Sequence, residues 1–81
     1  MDLERAAMVG QRAEKDLAAK GLRIRASGLR DSLRLLLLPT LPVDAIDDEQ
    51  LASQAVSLSQ AVIELRAAEA EIAVINHHLG L

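Results

Sequence analysis

The chain has 81 residues, a net charge of −3 and an apolar half that includes no Phe, Tyr, Trp or Cys. That length gives one domain close to the lower limit at which a single core holds a fold, and the missing cysteine excludes disulfides, thiolate metal sites and Cys nucleophiles. The core must be built from Leu, Ala, Ile, Val and Met; each Ala buries little surface, so such a core needs close helix contacts or a partner chain.

Ala and Leu favour helices, and the β-branched and aromatic residues that favour strands are few or missing, so the expected class is all-α. The first residues, Asp2-Leu3-Glu4-Arg5, have no apolar stretch of the secretory kind. The longest run of large apolar residues, Leu35 to Leu38, falls far short of the roughly 20 needed to span a membrane. A cytoplasmic protein without a membrane contact is the expectation.

The first predicted element is a helix over about residues 2–38. Its later part keeps three-and-four spacing through Leu22, Ala26, Leu29, Leu33 and Leu36. Its earlier part offers Leu3, Ala6 or Ala7, Ala13, and Leu17 or Ala18, which join the later set only after a shift of one position. Asp16, Lys20, Arg23, Ser27, Arg30 and Arg34 form a continuous polar face. Gly10, Gly21 and Gly28 each weaken a helix by about 1 kcal/mol relative to Ala. One arrangement is a single helix kinked near Gly21–Gly28; another ends a helix at Lys20-Gly21 and caps a second with Ser27. The unbroken polar face favours the single helix.

Pro39 and Pro42 stop that helix and push Leu38 and Leu41 out of helical geometry, giving a turn over residues 39–43. So short a break between long helices makes them antiparallel neighbours.

The second helix is expected over about residues 45–78, with Asp44 as N-cap and Asp47, Asp48 and Glu49 near the positive end of its dipole. Leu51, Leu58, Leu65, Ile72 and Leu79 recur every seven residues, with Ala55 and Val62 between them. Leu51, Leu58, Val62, Leu65, Ile72 and Leu79 are therefore the candidate self-association seam. Val56, Ala61, Ile63, Ala68, Ala70 and Ile75 flank it on both sides, so the apolar arc exceeds what one neighbour covers. His77 and His78 fall in the last turn, Gly80 suits the C′ position, and Leu81 follows for an apolar contact.

Charge supports the hairpin. Residues 1–38 hold eight Lys/Arg against five Asp/Glu, and residues 39–81 hold only Arg66 against seven acids. With the turn centred on Leu41, residue i faces residue 82 − i, which places Arg34 near Asp48, Asp16 near Arg66, and Arg12 near Glu69 and Glu71. Such pairs select register more than they stabilise. Leu35 to Leu38 point around most of the helix circumference; either Leu41 and Val43 of the turn cover them or a second chain does. A homodimeric four-helix bundle answers both the run and the wide arc.

Candidate chemistry is sparse. Adjacent His77 and His78 diverge by about 100° on a helix and do not converge on one ion. Glu69 and Asn76 occupy seam positions, where polar residues set register or leave the bundle wet. Arg23, Arg30 and Arg34 are candidate phosphate contacts, but aromatics for base stacking are missing and the prolines break a zipper-type helix. No phosphate loop, nucleophile elbow or HExxH motif is present. No catalytic, cofactor or metal residue is assigned. The expectation is a non-enzymatic structural or adaptor protein acting through self-association, in homodimers or with a heterologous protein; its alternative is a nucleic-acid-binding accessory protein using the arginine face. Hairpins of this size occur among phage-encoded and bacterial accessory proteins, an analogy of architecture rather than of motif.

Overall fold

A computed structural model describes residues 2–81. Two helices, α1 (Leu3–Leu36) and α2 (Asp48–Leu79), pack against each other as a hairpin, and among the described residues no strand occurs. Asp2 caps α1 by accepting from the Arg5 backbone N–H at 3.0 Å, with Glu4 in the first turn and Arg34 in the last. The helix is continuous through Gly21 and Gly28. It ends at Leu36, two residues short of the expected limit, because Pro39 lacks an N–H and constrains Leu38.

The connection is longer than the sequence suggests. Val43–Ala45 forms a single 3-10 turn, and α2 begins at Asp48, capped by Asp47 accepting from the Gln50 N–H at 3.1 Å. Asp44 therefore lies inside the short turn and does not cap the helix. At the far end Gly80 adopts φ 77°, and the Leu81 N–H reaches the Asn76 carbonyl at 2.8 Å, a Schellman-type close. Leu81 itself stays exposed, so the apolar contact expected of it does not form.

The interior is one seam. On α2 it consists of Gln54, Leu58, Ala61, Leu65, Ala68, Ile72, Ile75 and Leu79, all buried or half-buried. Leu58, Leu65, Ile72 and Leu79 of the sevenfold series lie on this seam, but its intermediate positions are Ala61, Ala68 and Ile75, on the other flank from Ala55 and Val62. On α1 the seam is Met8, Arg12, Lys15, Ala19, Leu22, Ala26, Leu29, Leu33 and Leu36, in unbroken alternation of four and three.

No shift of register is needed near Leu17, because the first half of the seam uses two cations where the sequence reading looked for apolar residues. Leu3 and Leu17 are 74% and 73% exposed. Arg12 and Lys15 lay aliphatic stems along the seam and carry their charges to polar groups of α2.

The molecule is a rod of 64 × 17 × 15 Å with a radius of gyration of 18.2 Å. A compact domain of this length has a radius of about 12 Å.

Candidate interaction surfaces

Polar contacts across the seam fix the antiparallel register. Arg5 donates to the Leu79 carbonyl at 3.2 Å, Arg12 donates to the Asn76 side-chain oxygen, and Lys15 and Arg23 pair with Glu71 and Glu69. A turn centred on Leu41 would set Arg12 against Ala70, Lys15 against Ala67 and Arg23 against Ser59. The observed partners lie further along α2 in every case, because the connection adds residues on the α2 side of the prolines. The expected pairs Arg34–Asp48 and Asp16–Arg66 do not form; Asp16 holds Lys20 one turn away at 3.3 Å. Glu69 and Asn76 serve as acceptors for α1 arginines, so both polar residues face the partner helix with defined contacts.

The candidate self-association residues lie mostly inside the hairpin. Leu79 is buried, and Leu51, Leu58, Val62, Leu65 and Ile72 are half-buried. Since α1 is the element that packs on α2, much of this seam is occupied within one chain.

The arginine row is also partly occupied. Arg23 faces Glu69, and Arg30 lies 3.6 Å from Asp31 and donates to the Ser27 hydroxyl at 3.2 Å. Arg34 sits by a shallow depression with Asp31, Leu35 and Leu38. His77 and His78 have ring centroids 6.1 Å apart at an edge-on angle of 68°. Among the described residues no three His, Asp or Glu side chains are grouped to hold a metal ion, and no helix is long and apolar enough to cross a membrane.

Apolar residues face outward on both helices: Val56, Ile63 and most of the Leu35–Leu38 run belong to the surplus the sequence suggests, whereas the outward placement of Leu3, Leu17, Ile24 and Val74 was not foreseen. On α1, Leu3, Leu17, Ile24 and Leu35 are exposed; on α2, Val56, Ile63 and Val74 are exposed. At the turn, Val43 is 84% exposed and Leu37 and Leu38 are each about half exposed, so the Pro segment does not fold over the Leu35–Leu38 run. The signal for the α1 set was legible as a second sevenfold series, Leu3, Gly10, Leu17, Ile24, Asp31, Leu38. It was merged with the inner series because both are rich in Leu.

The chain matches no protein-family model, and comparison with curated proteins and with solved structures gave no match.

Proposed function

We propose that this chain is a non-enzymatic structural or adaptor protein of the cytoplasm that acts through helix–helix association, with a homodimer of four helices as its working form. The observation that carries this reading is the large surface that the hairpin leaves uncovered, with large apolar side chains exposed on it. The chain exposes 6130 Å², whereas a compact chain of 81 residues exposes about 4,700 Å². The excess, about 1,400 Å², is larger than the roughly 800 Å² that each partner contributes to a standard stable interface. Large apolar side chains on both outer faces and at the turn lie exposed on this elongated surface.

The nucleic-acid alternative draws less support. Two of the three arginines it needs, Arg23 and Arg30, already face carboxylates of the same chain. Releasing them for phosphate would first break those contacts.

Light scattering after size exclusion, over a wide concentration range, tests the reading. The expected mass is twice that of the chain, maintained on dilution to micromolar. A monomer at every concentration would overturn self-association and turn attention to a heterologous partner.

A further inference from the structure

The outer side of α1, directly away from α2, carries a second heptad line: Leu3, Ala7, Gly10, Glu14, Leu17, Gly21, Ile24, Gly28, Asp31 and Leu35. Every residue on it is exposed, Leu17 and Ile24 by 73% and 75%. All three glycines of α1 fall on this line. A methyl group built on any of them meets nothing within 4 Å, so packing within the chain does not require glycine there, although each glycine weakens the helix. What glycine does permit is close approach of another helix backbone, to an axis separation near the lower end of the usual 8–10 Å range.

From this pattern we infer that the outer line of α1 is the dimer interface, formed with the same line of a second copy running antiparallel about a two-fold axis near Gly21. This rests on the proposed self-association and specifies its face and geometry. The occupant is a second copy because the line is complementary to its own reverse. An axis near Gly21 sets Leu17 against Ile24 of the partner, and Ala7 against Leu35 of the partner. It also sets Glu14 against Gly28 of the partner and Gly10 against Asp31 of the partner. Each acid then meets a glycine, which leaves its carboxylate room to reach water, and no acid faces an acid. Such a contact is isologous and closes at two copies.

The faces beside this line argue against association through the broad sides of the hairpin. Asp16, Lys20, Arg23, Ser27, Arg30 and Arg34 run along one side of α1, and Glu4, Gln11, Arg25 and Ser32 along the other. The outer line of α2, with Val56, Ile63 and Val74 exposed, contains no glycine. The four helices of the dimer therefore form a layer with the two α1 helices in the middle and the two α2 helices outside. On the α1 line Leu3, Leu17, Ile24 and Leu35 are each 68–75% exposed, so this contact buries four large apolar side chains from each chain.

Single substitutions and cross-linking on the full chain test this. Leu17→Glu and Ile24→Glu place charge at the centre of the interface, on side chains that are exposed in the single hairpin, so helicity by circular dichroism should be retained. Each is expected to weaken dimerisation by at least about tenfold, whereas Ile63→Glu on the outer face of α2 leaves it unchanged. Because the chain has no cysteine, Gly21→Cys should oxidise to a disulfide-linked dimer. Ala7→Cys and Leu35→Cys should each fail to cross-link alone and should cross-link to one another when mixed. A wild-type dimer that survives both glutamates but is lost with Ile63→Glu overturns this interface and leaves self-association standing. Ala7→Cys cross-linking to itself overturns the antiparallel arrangement. A wild-type chain that is monomeric throughout overturns the interface and self-association together.

Discussion

Arg12 and Lys15 occupy seam positions that a search for apolar residues passes over, and they fit because α2 supplies acceptors at the matching places. Asn76 and Glu71 receive them, and the long aliphatic stems cover part of the seam. Gln54 near the other end of the seam is less well provided for: its side-chain oxygen is buried without a hydrogen-bond partner. An unpaired buried acceptor costs about 1–3 kcal/mol, so Gln54→Leu, similar in size and at a heptad position, is expected to stabilise the fold by about 1 kcal/mol. A rise in the urea midpoint at unchanged slope would register it; a fall would mean that the amide has a partner in solution.

At the scale of the element, the two helices differ in how they distribute apolar residues. α1 has two separate apolar lines divided by polar stripes, one line for α2 and one facing outward. α2 is apolar around most of its circumference, with Val56, Ile63 and Val74 exposed opposite the seam. A helix of that kind depends on packing and on its ends more than on amphipathic contrast. The start of α2 is a case in point. Asp47 accepts the Gln50 N–H, whereas Asp44 sits in the preceding 3-10 turn. Asp47→Ala should cost about 1 kcal/mol, and Asp44→Ala clearly less. Thermal melts of the two variants side by side decide between Asp47 and the residue that the sequence alone suggests. An equal or larger loss with Asp44→Ala would place the helix start three residues earlier.

For the molecule as a whole, the shape is decisive. A rod 64 Å long and two helices wide has, among the described residues, one seam and no third layer, so its large exposed surface is a direct consequence of its length. Stability of a self-associating chain is tied to concentration by mass action. The unfolding midpoint is therefore expected to rise with protein concentration, and scanning calorimetry over a hundredfold range should detect it. A midpoint independent of concentration would argue that the hairpin is stable alone.

The fold was legible in the sequence to the extent that it depends on local chemistry and period. Ala and Leu content, two prolines between long helical stretches, the Gly80 close of α2 and the sevenfold Leu/Ile series suffice for an all-α hairpin. The continuity of α1 was legible in its unbroken polar face. The tertiary structure alone decided which of two Leu-rich lines on α1 faces α2, since both have helical spacing and only the pairing of Arg12 and Lys15 with Asn76 and Glu71 separates them. It also decided the register, because the 3-10 turn at Val43–Ala45 lengthens the connection on one side. The outer line of α1 could not be distinguished from core in one dimension: a heptad position says that a side chain shares a face with its neighbours, and only the packed partner determines whether that face is inside.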